Sequence, residues 1–185
     1  MPLDSDARWR LVRQAKNKPA AQATEVTIRD AIETDMLQVL EIYNFYILNS
    51  VITFDLEENS YSDWIEKYRW LKGLGLPFLV ATGSDGQILG FAYVAPWRAK
   101  AAYRRTVEDT IYLRPAATGK RVGTKLLTAL LDASKEAGVK EVVAVISDRG
   151  ADASIKLHET FGFKSQGHLG KVGFKFGKWL GTHLL

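Results

Sequence analysis

Chemistry in this chain has to come from a few places. One is Thr118-Gly119-Lys120-Arg121-Val122-Gly123, which stands between an apolar run ending at Leu113 and a helical pattern beginning at Thr124. A loop leading from a strand into a helix presents consecutive main-chain N–H groups that have no intrahelical acceptor. The helix dipole adds positive potential, so such a loop suits a pyrophosphate. Glycine allows close approach of the backbone, and Lys120 and Arg121 add positive charge. The same residues also make an ordinary turn, and position alone does not separate the two readings. A Walker loop is excluded, because Lys125 is followed by Leu126 and the glycine spacing differs. A second concentration lies just upstream, where basic and aromatic residues (Arg98, Lys100, Tyr103) precede the carboxylate of Glu108. By itself Glu108 reads equally as a solvated charge on a strand face or as a base. The chain has no cysteine, so a thiol nucleophile, a disulfide and a cysteine-bearing metal site are all ruled out. No metal is expected.

The elements that must hold these groups follow from periodicity. Val26 and Ile28 alternate with Thr27 and Arg29, which predicts a first strand from Glu25. Thr34 precedes Met36, Leu37, Val39, Leu40, Ile42, Tyr43, Tyr46 and Ile47, the pattern of a capped amphipathic helix. A second helix is predicted over Tyr61 to Lys72, ended by Gly73 and Gly75. Pro77 to Thr82 and Ile88 to Val94, joined by Gly83-Ser-Asp-Gly86, read as a β-hairpin. Thr106 to Leu113 is a further strand, stopped by Pro115. Thr124 to Ala137 is a helix with Leu126, Leu127, Leu130 and Leu131 on one face and Gly138 past its end. Glu141 to Ile146 is β-branched and reads as one covered strand, which completes a βαβ unit. A helix over about Ala153 to Phe161 and a last pair of short strands follow. An antiparallel hairpin first and a parallel βαβ unit later predict an α/β fold, with a mixed central sheet and helices on both faces.

With 185 residues, 46% of them hydrophobic and 25% charged, the chain can bury one core of ordinary globular composition. Residues 1–24, basic and without an apolar h-region, read as a flexible leader and not a secretory signal, before one domain over residues 25–185. The longest apolar runs fall short of a membrane span, so a soluble cytoplasmic protein without a membrane partner is expected. A net charge of +4 suits an anionic ligand but is too scattered to argue for nucleic acid.

The 118–123 loop resembles the acyl-CoA pyrophosphate loop of the GNAT superfamily of N-acetyltransferases: Gln or Arg, two residues, Gly, one residue, then Gly or Ala. Gly123 matches the last position, Thr118 replaces the first, and Arg121 replaces the middle glycine, although arginine resists positive φ. A wider resemblance, over about residues 27–179, is to the phosphinothricin N-acetyltransferase family. It is carried by Glu41-Ile-Tyr-Asn-Phe-Tyr46, Thr53-Phe-Asp55, Ala92-Tyr-Val-Ala-Pro-Trp-Arg-Ala-Lys-Ala-Ala-Tyr103, Thr106-Val-Glu108, Ser154-Ile-Lys-Leu-His-Glu159 and Gly173-Phe-Lys-Phe-Gly-Lys-Trp179. The resemblance implies the GNAT fold, acetyl-CoA as cosubstrate, and a small amino-acid-like acceptor of the phosphinothricin, methionine sulfoximine or methionine sulfone type. A homodimer is also expected.

The resemblance further assigns roles. Glu108 is implied as the general base that an ammonium acceptor requires. His158 would assist proton transfer or orient the base, and its other reading is a helix residue packed beneath the site. The cosubstrate falls to Ile111, Tyr112 and Leu113 on the strand and to Thr118, Gly119, Lys120, Arg121, Val122, Gly123 and Thr124. Strand N–H groups after Glu108 would receive the oxyanion. Phe54, Tyr93, Arg98, Lys100 and Tyr103 would bind the acceptor. Three departures stand out: Phe163 where many superfamily members have a tyrosine, Ala151 where asparagine is common, and Gly181 where an acid is usual. The competing reading is a CoA-binding regulatory or pseudo-enzyme domain without turnover. A nucleic-acid or protein interaction domain ranks below both.

Overall fold

The structure is a computed structural model and describes residues 25–185; the leader expected at 1–24 lies outside the described residues. The chain runs β1 (Thr27–Asp30), α1 (Met36–Asn49), α2 (Tyr61–Gly73), β2 (Phe78–Thr82), β3 (Ile88–Pro96), β4 (Thr106–Leu113), α3 (Val122–Glu136), β5 (Glu141–Val143), β6 (Val145–Ser147), α4 (Asp152–Thr160), β7 (Gly167–Lys175) and β8 (Lys178–Leu184). Local chemistry explains several boundaries. α2 opens on a capping box, in which the Ser60 hydroxyl accepts from Asp63 N at 3.2 Å and the Asp63 carboxylate accepts from Ser60 N at 2.7 Å. α1 is entered through a 3-10 turn at Glu33–Asp35, so Asp35 replaces the expected Thr34 at the helix start. The Asp35 carboxylate accepts from Ile32 N and pairs with Arg29 at 2.7 Å, anchoring the turn to β1.

β1 to β5 form one sheet in that order, antiparallel through β4 and parallel between β4 and β5. Strand alternation divides the core between its faces. Phe78, Val80, Phe91 and Tyr93 join α1 and α2 through Val39, Ile42, Tyr46, Trp64 and Tyr68. Leu79, Ala81, Ala92, Val94 and Val107 face α3, which buries Leu126, Leu127 and Leu130 against them. Each of these leucines, fully removed from water, contributes roughly 1.5–3 kcal/mol.

The expected strand Glu141 to Ile146 is interrupted. It pairs with β4 only from Thr106↔Glu141 to Glu108↔Val143. At Ala144 it changes partner, exchanging two 3.0 Å main-chain bonds with Leu185, and β6 continues against β8. The second sheet has the order β6-β8-β7. β7 and β8 are nine and seven residues long, not short as expected, and β7 carries an irregularity between Leu169 and Gly173 with Lys171 at φ 54°. β4 and the strand beside it therefore part after residue 108, and a gap opens between the two sheets.

Candidate active site

What does that gap offer? Its β4 wall follows from the hydrogen-bond parity of the strand. Thr106 O accepts from Trp97 N and Arg114 N donates to Leu89 O, whereas Arg105 O accepts from Lys140 N and Glu141 N. The register with β3 is regular throughout. Even-numbered residues of β4 therefore turn their main-chain polar groups to β3, and odd-numbered ones turn theirs to the other edge. Beyond Glu108 that edge has no strand partner, so the main-chain groups of Ile111 and Leu113 face the gap. The Leu113 carbonyl is taken by the Tyr46 hydroxyl at 2.7 Å.

The gap widens into a cleft of about 470 Å³. Glu108 to Tyr112 form one wall and Ala144 to Ser147 the other. Tyr43, Tyr46 and Tyr93 stand on one side, with Ala151, Ser154 and His158 of the α4 region on the other. Thr118 lies at the end where the loop leads into α3.

Glu108 is half-buried on the strand face shared with Ala95 and Tyr112, the face covered by α1 and α2. Burial, followed by the neighbouring Asp109 charge, raises its pKa above the usual carboxylate range. Its carboxylate makes no hydrogen bond to another described residue. His158 does not meet it. Alternation turns Asp109 to the opposite face, and there the Asp109 carboxylate lies 2.9 Å from His158 Nε2, with both side chains only 2% exposed. The other ring nitrogen, Nδ1, is 2.7 Å from the Ser154 carbonyl. Burial alone would lower the His158 pKa, but the Asp109 hydrogen bond and charge and the Ser154 carbonyl outweigh it and raise the value. Two acceptors on two ring nitrogens describe an imidazolium that donates twice. Asp109 is the site residue that sequence reasoning missed. Its signal was a second acid directly after Glu108, which on a strand must face the other way.

The acceptor-side candidates divide. Phe54 and Tyr93 line the cleft, whereas Arg98, Lys100 and Tyr103 are exposed on the β3–β4 connection, outside the lining, with the Arg98 guanidinium 5.3 Å from the Trp97 ring centre. The Phe54 segment is held from two directions that the sequence did not reveal. Buried Lys175 donates to the Thr53 carbonyl at 2.9 Å, and Tyr43 hydrogen-bonds both Thr53 and Asp55. Gly173 lets β7 pass directly against Phe54, since a Cβ there would stand 2.5 Å from its ring. Gly181, where an acid is usual, likewise has no room: a Cβ would meet Leu169 O at 2.5 Å and the Asp148 carboxylate at 2.6 Å.

Of the cosubstrate candidates, Ile111, Tyr112 and Thr118 line the cleft; the Leu113 side chain packs toward α3, and Gly119, Lys120, Arg121, Val122, Gly123 and Thr124 follow Thr118 into the helix. Arg121 adopts φ 61°, ψ 12° at the N-cap of α3 with no side-chain cap, and Gly119 sits at φ 77°. The glycine conformation is thus present at 121 despite the side chain. Among the described residues the N–H groups from Gly119 to Thr124 have no acceptor; the first bond of the helix is Lys125 N to Arg121 O, at 3.1 Å. Such a row of donors fits a pyrophosphate. Phe163 offers no hydroxyl, and its ring packs edge-on to His158. No group of three or more potential metal-ligating side chains occurs among the described residues.

Comparison with known proteins gives a consistent picture. The profile of the acetyltransferase (GNAT) family matches residues 38–163. A phosphinothricin N-acetyltransferase of Streptomyces viridochromogenes is 38% identical over 83% of this chain and 82% of its own length. An L-methionine sulfoximine/L-methionine sulfone acetyltransferase of Salmonella typhimurium is 36% identical over 84% and 90%. Among solved structures, a GNAT superfamily phosphinothricin acetyltransferase from Sinorhizobium meliloti in complex with AcCoA superposes with a TM-score of 0.82 at 38% identity, over 86% of this chain and 85% of that one.

Proposed function

The chain belongs to the GNAT acetyltransferase family, and we infer that it transfers the acetyl group of acetyl-CoA to the amine of a small amino-acid-like acceptor. Phosphinothricin, methionine sulfoximine and methionine sulfone define the acceptor type. The observation that carries this reading is Glu108, a half-buried carboxylate of raised pKa where β4 loses its partner strand. In this reading the pyrophosphate of acetyl-CoA lies on the N–H groups of Gly119 to Thr124, and its pantetheine arm runs along the open edge of β4.

The reaction follows from these positions. An acceptor amine is mostly ammonium near neutral pH and has no lone pair to attack with. Glu108 takes its proton, directly or through one water, and desolvation makes it a better base than an exposed glutamate. The free amine then adds to the thioester carbon. The negative charge on the carbonyl oxygen is met by the main-chain N–H of Ile111, already directed into the gap. Collapse of the tetrahedral adduct breaks the C–S bond and expels CoA as thiolate, and the extra proton on the new amide nitrogen passes to that sulfur through solvent. A thiol of ordinary pKa near 8.5 leaves without a dedicated acid, consistent with phenylalanine at position 163. Phe54 and Tyr93 wall the acceptor, while Arg98, Lys100 and Tyr103 reach it from the β3–β4 connection. His158, with both nitrogens committed, holds position and does not carry protons.

A cytoplasmic homodimer is part of the same proposal. Phe174 and Trp179, paired across β7 and β8 and both exposed, leave an apolar patch that a second copy would cover. A panel of free amino acids and analogues, assayed by thiol release, tests the reading. Turnover of an amino-acid analogue supports it; acetyl-CoA binding without thiol release from any acceptor would leave the non-catalytic alternative.

A further inference from the structure

The second carboxylate on β4 has no part in the reaction just described, yet the fold leaves its side chain only 2% exposed. We propose that Asp109 is a positioning residue, whose ion pair with His158 ties α4 to β4 across the gap and so fixes the width of the channel that receives acetyl-CoA. This rests on the reading of the cleft as an acetyl-CoA site.

Main-chain bonds hold β4 to its neighbour only as far as Glu108 and Val143. From Ala144 onward the neighbouring strand belongs to the other sheet, and α4 follows it. No strand pairing therefore sets the distance between β4 and α4. The 2.9 Å contact from Asp109 to His158 spans it, and both residues line the cleft. On the α4 side the imidazole cannot swing, because its other nitrogen is held at 2.7 Å by the Ser154 carbonyl and its ring meets Phe163 edge-on, with centres 4.9 Å apart. Among the described residues Asp109 is the one charged group facing the ring, since Glu108 lies on the other face of the sheet. The remaining Asp109 oxygen, Oδ1, is buried with no hydrogen-bond partner among the described residues. Burying two charges costs more than a well-packed apolar pair would, so what such a pair supplies is defined geometry.

The experiment uses the full chain and needs no acceptor. Nitrogen-resolved NMR follows the three histidines against pH, with His158 assigned by the loss of its signals in His158→Gln, and calorimetry measures acetyl-CoA affinity. In the wild-type protein both nitrogens of His158 should stay protonated to higher pH than those of an ordinary histidine. Asp109→Asn should bring His158 into the neutral titration range and weaken acetyl-CoA binding about tenfold. A wild-type His158 that titrates as an ordinary histidine would overturn the ion pair, whether or not the variant folds. Unchanged acetyl-CoA affinity in Asp109→Asn would overturn the positioning role. Failure of the enzymatic reading would instead appear as absent thiol release with the His158 titration unaffected.

Discussion

The two halves of the cleft are built on different principles. The half proposed for the cosubstrate is main chain: the free edge of β4 beyond Glu108 and the row of N–H donors from Gly119 to Thr124. The half proposed for the acceptor is side chain: Phe54 pressed on Gly173, Thr53 held by Lys175, and Tyr93 on β3, with Arg98, Lys100 and Tyr103 outside the lining on an exposed connection. A main-chain donor is the same whichever side chain it carries, so Thr118 and Arg121 can depart from the family pattern without removing any donor. The acceptor half has no such protection, and each replacement there changes what the cleft recognises.

Substitutions should separate the halves. The largest effect belongs to the junction: Glu108→Gln should lower kcat about 100- to 10,000-fold, with acetyl-CoA affinity held within about twofold. Unchanged turnover would remove Glu108 as the base. The pH profile sharpens the same point. Glu108 acts as carboxylate, and burial and Asp109 raise its pKa above 4.5. Turnover should therefore fall, as pH is lowered through that raised value, at higher pH than an exposed glutamate would give; a limb at or below 4.5 would contradict the assigned burial.

Next comes Gly173→Ala, whose Cβ forces the Phe54 ring to move. Acceptor KM should rise about tenfold while acetyl-CoA affinity stays, the split expected of an effect confined to one half. Arg98→Ala should raise acceptor KM about fivefold, again without affecting acetyl-CoA; equal effects on both substrates would erase the division. Arg121→Gly should do least. It relieves roughly 1 kcal/mol of left-handed strain and removes one exposed charge, so thermal stability should rise slightly and acetyl-CoA affinity change less than about threefold. A collapse of affinity would mean that the arginine side chain, and not the backbone, holds the cosubstrate.

The same division governs what could be read from the sequence. The β2–β3 hairpin and the passage from β4 through α3 to β5 were legible because short-range periodicity specifies them, whereas Glu108 was singled out by the family resemblance, a solvated strand charge being an equal reading of the residues alone. The break at Ala144 was not. Val142 to Ile146 has one apolar character throughout, while the change of partner is imposed by Leu185, about forty residues away. Asp109 stayed hidden for the same reason, since its partner lies 49 positions along the chain. The grip of Lys175 on Thr53 spans 122. The bulge in β7 left no turn signal, because Lys171 takes a positive φ that its residue type does not announce.

The central claim is that acetyl-CoA threads between the two sheets along the free edge of β4. A crystal structure with the cosubstrate bound tests it directly. The account expects pyrophosphate oxygens on the N–H groups of Gly119 to Thr124 and the thioester carbonyl oxygen within hydrogen-bonding distance of Ile111 N, with the Glu108 carboxylate beside it. A cosubstrate bound elsewhere, or a loop closed over by the Arg121 side chain with Glu108 turned from the thioester, would contradict it.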